Sequence, residues 1–416
     1  MRVPRWHFVI FAALACACDD DAGGADARGT DVGTGPPDVI GRFPEAPPAG
    51  WTLHDLGDLT TVAGESEDVV FDVPAGAVSL HVTIAGHPGA TVALLGAAAP
   101  DGAWVVSDQL APGLEADAVS GADAVSGGFG ALHLSPNKSL ALPRATAALI
   151  PNTPRVALAP GRWTFRIGAF DAYMDDERRW VRTPLDTTVR VGVIVRTAAP
   201  PTSGTIDLVL SFDPTSGLEA ATAPDDLDIR ASLDLLDGAL AEVGLAVGSV
   251  SYRDVALGAP VVALRPPACN LSDEVVRVFD DAPAPRADVV HVVFVGRFTC
   301  KVLDGLVDLG EQLGALSIGA PGMPFATRTG IIASTFAKPT YPGDWAEILA
   351  HEVGHYLGLF HTREITGSVD NIADTPEDEA GAADNLMYFN VTLSTATTLT
   401  PDQGAIVRLS PLVRPD

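Results

Sequence analysis

The chain has 416 residues, which is long enough for two or more domains that each bury a core. It carries 53 acidic and 26 basic residues, and its formal net charge is -27. A surface this acidic argues against nucleic acid and anionic membrane faces as partners, and it suits a soluble protein in an extracellular space.

Residues 1–18 have the layout of an export signal. Two arginines precede an apolar run over residues 6–15, which is too short to span a membrane. Cys16 and Cys18 follow among small residues, and the segment resembles the lipobox of bacterial lipoproteins, in which a cysteine is lipidated. We therefore expect an exported lipoprotein of the cell surface or outer membrane, anchored through Cys16 or Cys18. Cleavage of the signal and simple secretion is the alternative.

Residues 19–49 and 50–215 differ in composition. The former are rich in Asp, Gly, Ala, Pro and Thr and have too little apolar surface to offset the entropy of ordering, so we predict a flexible tether. The latter contain short alternating segments bounded by Gly and Pro, with no convincing helical period, and this pattern predicts an all-β sandwich. The predicted strands include residues 69–73, 79–84, 163–167, 188–193 and 206–210.

The pattern changes again after a linker at residues 214–224 that is rich in Pro, Ser, Thr and Ala. Apolar residues then recur at spacings of four and three over residues 229–243, which predicts an amphipathic helix. Residues 289–295 are nearly continuously apolar, as in a central strand covered on both faces, and residues 330–337 form a further predicted strand. We therefore predict an α/β domain over residues 222–416.

The most informative stretch is HEVGHYLGLFH at residues 351–361. A capping-box spacing from Asp344 to Glu347 predicts that a helix begins there. At about 100° per residue, His351 and His355 lie within about 40° of each other on this helix. Both imidazoles can therefore bind one metal ion.

The helix cannot continue to His361, because six more residues would rotate that side chain by about 240° from His355. Gly358 supplies the required turn, since glycine adopts a positive φ without steric cost. His361 can then return as a third nitrogen ligand of a zinc ion whose fourth position stays open to water, as in catalytic sites. Glu352 is rotated by about 100° from His351, which suits a general base that reaches this water.

The full pattern HExxHxxGxxH is the signature of metzincin zinc peptidases, and its context resembles their pappalysin-like group. The resemblance covers roughly residues 225–416 and is densest over 345–389. It implies a zinc-dependent endopeptidase with a metzincin-like fold, with Glu352 as general base and polypeptides in extended conformation as substrates. It also implies a turn beneath the metal that carries a methionine, and Met387 matches this residue in type and distance.

Two further expectations come from the same resemblance. Many metzincins stabilise the oxyanion with a tyrosine two residues after the methionine, where this chain has Phe389, so the adjacent Tyr388 is the candidate for that role. Metzincins also align an extended peptide along an edge strand by backbone pairing, and we expect residues 330–337 to form this edge.

The segment between His361 and Met387 is acidic, whereas related pappalysins often have cysteines there. Asp370, Asp374 and Asp378 are candidate calcium ligands, because calcium takes oxygen ligands and is found in this loop in the resembling family. A solvated acidic loop is the alternative, since no EF-hand spacing is present.

Outside the signal, the chain contains only two cysteines, Cys269 and Cys300. In an exported protein such a pair predicts a disulfide. A two-cysteine zinc site is the competing interpretation, and it lacks CxxC spacing.

Two rival functions are consistent with parts of the pattern. In a gluzincin, a downstream glutamate such as Glu377 would be the third ligand, but this leaves Gly358 and His361 unexplained. Alternatively, the chain is a non-enzymatic surface lipoprotein with an inactive protease-like domain. The intact Glu352 speaks against this second interpretation, and Phe389 speaks mildly for it.

Overall fold

The structure is a computed structural model, and it describes most of the chain from residue 50 onward. The predicted signal and tether lie outside the described residues. The described residues are 50–107, 137, 139, 141–174, 180–258, 262–264, 273–302, 305–308, 315–318, 328–335, 342–363, 369–388 and 397–416.

In the described part of residues 51–196, eleven antiparallel strands form one sheet. They are β1 (Trp51–Val62), β2 (Glu65–Ser66), β3 (Val69–Val73), β4 (Ser79–Ala85), β5 (Thr91–Ala98), β6 (Trp104–Ser107), β7 (Leu142–Pro143), β8 (Ala145–Ile150), β9 (Gly161–Met174), β10 (Trp180–Pro184) and β11 (Thr188–Arg196). Strand β1 pairs with β11 over most of its length and with β2 at its end, so the sheet curls.

Apolar side chains at alternate positions fill the space that the curled sheet encloses. Leu80, Val82 and Ile84 come from β4, and Trp163 and Phe165 come from β9, and all five belong to one fully buried cluster. Alternation of this kind places every second side chain on the same face of a strand. The predicted all-β architecture of this part of the chain is confirmed.

The described residues after β11 contain nine more strands, and six of them form a second sheet. They are β12 (Gly204–Phe212), β13 (Leu245–Asp254), β14 (Val262–Leu264), β15 (Val290–Val295), β16 (Phe298–Val302), β17 (Gly305–Asp308), β18 (Ala315–Ile318), β19 (Gly330–Ser334) and β20 (Val413–Pro415). The second sheet has the order β13-β12-β15-β19-β18, with β20 paired to β12, while β14, β16 and β17 form a small third sheet. Strands β13, β12, β15 and β19 run parallel, and β18 is antiparallel to β19.

The central position of β15 agrees with its sequence. Every residue of β15 is buried, and the strand lies between β12 and β19. A parallel strand covered on both faces needs apolar residues at successive positions. The prediction from the continuous apolar run at residues 289–295 is therefore confirmed.

The assignment of residues 206–210 to the sandwich is wrong, because β12 belongs to the second sheet. One face of β12 carries large apolar residues, and the other carries Asp207 and Ser211. This alternation of apolar and polar residues is typical of an antiparallel strand, and it led to the wrong assignment. These polar residues are nevertheless buried: Asp207 pairs with Arg286, and Ser211 Oγ lies 2.8 Å from His291 Nε2. The first sheet thus ends with β11, well before the boundary predicted at residue 215.

The expectation that residues 330–337 form the substrate-binding edge is also wrong. Strand β19 has a neighbour on each side, β15 and β18. Within the described part of the chain, the strand at this end of the sheet is β18. Sequence alone did not reveal β18, because its four residues, ALSI, are too few to show a period.

This part of the chain also contains helices. They are α1 (Leu227–Ala241), α2 (Asp273–Asp281), α3 (Pro342–Tyr356), α4 (Glu379–Ala382) and α5 (Pro401–Val407), and 3₁₀ turns lie at Pro214–Ser216 and Ala223–Asp225. The predicted amphipathic helix is α1, which buries Ile229, Leu236 and Leu240. Helix α3 begins at Pro342 rather than at the predicted Asp344, and proline suits this first position because its missing N–H needs no partner there. No described helix is long and apolar enough to cross a membrane.

His81 on β4 makes the first sheet sensitive to acid. The residue is only 1% exposed, and burial, reinforced by the charge of Arg196, lowers its pKa from 6.5 to about 3. The unfolded chain therefore binds a proton on His81 below about pH 6.5, whereas the folded chain does so only near pH 3. Stability is consequently lost as the pH falls through this window.

We expect His81→Leu to remove this contribution to the acid sensitivity. In the native chain it lowers the free energy of unfolding by about 1 kcal/mol for each pH unit of the fall. Urea unfolding followed by tryptophan fluorescence at several pH values between 6.5 and 3 measures the effect, and His87→Leu, in the turn after β4, is the matched control. An equally steep pH dependence in His81→Leu and the native chain would contradict the prediction.

Candidate metal centre

Helix α3 positions two of the three predicted ligands. Its apolar side chains, among them Leu349 and Val353, are buried in the cluster that α1 and the second sheet share. His351 and His355 lie one turn apart on the remaining face, and they are 5% and 8% exposed. The helix therefore holds both imidazoles on a rigid, packed element.

The predicted turn after α3 is present. Gly358 has a φ of 110°, its N–H donates to His355 O at 2.9 Å, and Leu359 N–H donates to Gly354 O at 3.1 Å. This pair of hydrogen bonds around a left-handed glycine is the Schellman motif that ends many helices. It reverses the chain and brings His361 back toward the helix.

The three histidines converge through their Nε2 atoms. His361 Nε2 lies 3.1 Å from His355 Nε2 and 3.2 Å from His351 Nε2. A tetrahedral zinc ion with Zn–N bonds of 2.0–2.1 Å separates its nitrogen ligands by about 3.3–3.4 Å. Among the described residues, this is the one group of three or more His, Cys, Asp or Glu side chains that could hold a metal ion.

Backbone carbonyls fix the orientation of two of the rings. His351 Nδ1 lies 2.6 Å from Leu386 O, and His355 Nδ1 lies 2.9 Å from Leu359 O. A carbonyl oxygen only accepts, so both Nδ1 atoms carry the proton and both Nε2 atoms present a lone pair to the centre. A divalent cation at the centre would satisfy these converging lone pairs, and the site therefore fits zinc.

The turn that carries Met387 packs against the site. Its sulfur packs so closely on Gly354 that a Cβ at this glycine would overlap Met387 Sδ. Leu386 O accepts from His351, and Met387 O accepts from Thr362 N–H at 2.9 Å, directly after the third histidine. The predicted methionine turn thus contacts all three parts of the site: the helix, one ligand ring and the segment of His361.

A buried pair of amides holds this turn, and the pairing of these two residues is not visible in the sequence. Asn385 Nδ2 donates to Gln403 Oε1 at 2.8 Å, and Gln403 Nε2 donates to Asn385 Oδ1 at 3.1 Å. Asn385 Oδ1 also accepts from Met387 N–H, while Gln403 completes a capping box with Thr400 at the start of α5. The spacing of Thr400 and Gln403 is typical of a capping box and could have predicted the start of α5. The contact between Gln403 and Asn385 arises only in the folded chain.

The proposed catalytic side chains lie close to these ligands in sequence. Glu352 follows His351 on α3 and is 8% exposed. Tyr388 is buried directly after the methionine, and its N–H donates to Asn385 O at 3.0 Å. Phe389 lies outside the described residues. The role of Tyr388 at the oxyanion stays a prediction.

The three candidate calcium ligands do not come together as one cluster in the described residues. Each carboxylate accepts a hydrogen bond from a different backbone N–H: Asp370 from Ile372, Asp378 from Gly381, and Asp374 from Asp402 at the start of α5. Asp374 and Asp378 thereby stabilise the starts of α5 and α4. Calcium binding by this loop stays a prediction without support from this arrangement.

The predicted cysteine sites cannot be located in the same way. Cys16, Cys18 and Cys269 lie outside the described residues, and Cys300 belongs to β16. The disulfide and the lipid anchor therefore stay predictions.

Comparisons with known proteins do not place the chain in a family. No protein-family profile matches it, and no curated protein matches it. Among solved structures, an active site mutant of a family two carbohydrate esterase from Clostridium thermocellum is 10% identical, with 62% of this chain and 76% of that chain covered and a TM-score of 0.16. A family two carbohydrate esterase from Cellvibrio japonicus is 8% identical, with 59% and 79% covered and a TM-score of 0.11. These TM-scores are too low to support an argument about fold or function.

The contact between Gly354 and Met387 can be tested by substitution. We expect Gly354→Ala to destabilise the chain by about 1–3 kcal/mol, because the added methyl group overpacks a buried site. Adding Met387→Ala should relieve the overlap, so that the double variant loses less stability than the two single variants together. Thermal unfolding measures all four proteins.

Gly238→Ala on α1 is the matched control, since nothing lies within 4 Å of a Cβ at that position. It should be neutral or slightly stabilising, as alanine is in a helix. Strict additivity of the Gly354 and Met387 substitutions would show that the two residues do not contact each other.

Proposed function

We propose that the chain is a zinc-dependent endopeptidase of the metzincin type, similar to the pappalysin-like group. The observation that carries this proposal is the convergence of three imidazole Nε2 atoms at 3.1–3.2 Å, with Glu352 next to the first of them on the same helix. Three nitrogen ligands leave one position open, which is the arrangement of catalytic rather than structural zinc.

The chemistry follows from the open position and from Glu352. When bound, zinc lowers the pKa of a water in the fourth position to about 7 and polarises the scissile carbonyl. Glu352 accepts a proton from the attacking water and then passes it to the amine nitrogen that leaves. Its low exposure supports this role, because a carboxylate shielded from bulk water exchanges its proton with the substrate rather than with the solvent.

The turn at Gly358 separates this proposal from the gluzincin alternative. In the described chain the third nitrogen of the cluster belongs to His361, whereas Glu377 is an exposed residue of the acidic segment. The strand order of the second sheet also changes which strand we expect a peptide substrate to pair with. The edge strand β18 replaces residues 330–337 as the proposed partner of an extended peptide.

We further propose that the enzyme acts outside the cytoplasm, attached through a lipid on Cys16 or Cys18. The sequence of the signal and the surplus of acidic residues support this location. The proposed substrates are unfolded or loop segments of polypeptides, since pairing with an edge strand requires an extended backbone.

Zinc binding is the first test. We expect His361→Ala to weaken zinc affinity by more than about 100-fold, because a lost ligand costs more than the 10- to 100-fold typical of a lost supporting residue. Metal analysis after dialysis and competition with a chromophoric chelator measure the affinity. Glu377→Gln is the matched control and should bind zinc like the native chain; loss of zinc in this variant alone would favour the gluzincin arrangement.

Proteolysis is the second test. We expect Glu352→Gln to keep its zinc and to lose about 10²- to 10⁴-fold of the rate of casein cleavage, because the general base is removed while the ligands stay. A chelator should abolish the activity of the native chain, and added zinc should restore it. If the zinc-loaded native chain cleaves no faster than Glu352→Gln, the enzyme proposal fails and the inactive surface lipoprotein is favoured.

A further inference from the structure

We propose that the first sheet supports the metal centre through Thr153, in the loop after β8. Thr153 is a positioning residue for the third ligand, His361. Thr153 is 1% exposed, and its Oγ1 donates to Asn371 O at 2.6 Å. Asn371 lies in the acidic segment that follows His361. The inference rests on the zinc site proposed above, but not on its peptidase activity.

The hydroxyl of Thr153 is oriented before it meets this carbonyl. Arg155 N–H donates to Thr153 Oγ1 at 3.2 Å, within a turn in which Val156 N–H donates to Thr153 O. The oxygen therefore accepts within its own loop and directs its proton to Asn371 O. The two preceding residues, Pro151 and Asn152, are also buried, so packing holds the loop on the N-terminal side of Thr153.

A short series of backbone hydrogen bonds connects Asn371 to the third ligand. Asp370 N–H donates to Thr362 O at 3.1 Å, and Thr362 N–H donates to Met387 O at 2.9 Å. Arg363 and Val369 form an antiparallel bridge beside these bonds. The backbone that carries His361 is thus fixed between the methionine turn on one side and the segment held by Thr153 on the other.

This support matters more for His361 than for the other two ligands. His351 and His355 are fixed by helix α3, whose hydrogen bonds and apolar face hold them regardless of the acidic segment. His361 follows the turn at Gly358 and has no helix of its own. Its position therefore depends on the neighbouring segments, and each bond that orders them reduces the entropy lost on metal binding.

Other contacts between the first sheet and the rest of the chain keep Thr153 in place. Both sheets lie within one compact unit, and Leu149 of β8 belongs to the same buried cluster as Ile372. Arg196 at the end of β11 is almost fully buried and donates to Arg408 O at 2.6 Å. Thr153 consequently projects from a fixed support rather than from a mobile module.

The test compares hydroxyl-free and hydroxyl-bearing residues at position 153 in the full chain. We expect Thr153→Val and Thr153→Ala to bind zinc about three- to tenfold more weakly, as for the loss of one hydrogen bond behind a ligand, and Thr153→Ser to bind like the native chain. Chelator competition measures the affinity. The rise in unfolding temperature caused by zinc should be smaller in the two hydroxyl-free variants.

Asp280→Asn is the matched control, because it removes a different contact of the first sheet, the ion pair of Arg144 with Asp280 on α2. It should leave zinc affinity unchanged. The inference is overturned if Thr153→Val and Thr153→Ala bind zinc as tightly as the native chain, or if Asp280→Asn weakens zinc as much as they do. Failure of the native chain to bind zinc would overturn both this inference and the proposed function.

Discussion

Imidazole nitrogens whose lone pairs face one centre repel each other in the absence of a cation, and the surrounding structure must hold them in place. At least two of the three rings here are held by backbone carbonyls, Leu386 O for His351 and Leu359 O for His355. Carbonyls accept only, so they set the tautomer as well as the orientation. The turn at Gly358 and the turn that carries Met387 bring these carbonyls and rings together.

The methionine turn is where most of these features meet. Its carbonyls contact one ligand ring and the segment after the third ligand, its sulfur lies on Gly354, and its start is held by the amide pair of Asn385 and Gln403. Buried amides are stable only when their donors and acceptors are satisfied, and here each amide is paired with the other. A change in any of these residues therefore reaches the histidines through the backbone rather than through direct contact.

The first sheet and the second sheet are also more closely connected than their sequence patterns indicated. Only residues 197–203 separate β11 from β12, and the buried guanidinium of Arg196 reaches across to Arg408 O. Burial of a charged group is costly unless it is well bonded, and Arg196 donates to three carbonyls. A region that would otherwise be an accessory module thus becomes a support for the metal site.

The sequence alone determined the local chemistry: two histidines one turn apart, a glycine that ends the helix, a third histidine beyond it, and an all-β region before the site. These depend on spacing and on backbone preferences, which act over a few residues. Tertiary structure alone decided that β12 is a parallel strand of the second sheet, that β18 rather than β19 lies at the edge, and that Gln403 and Thr153 support the site. Pairings between segments that are tens to hundreds of residues apart depend on which surfaces the folded chain brings into contact. A local sequence pattern does not indicate which distant segment will be the partner.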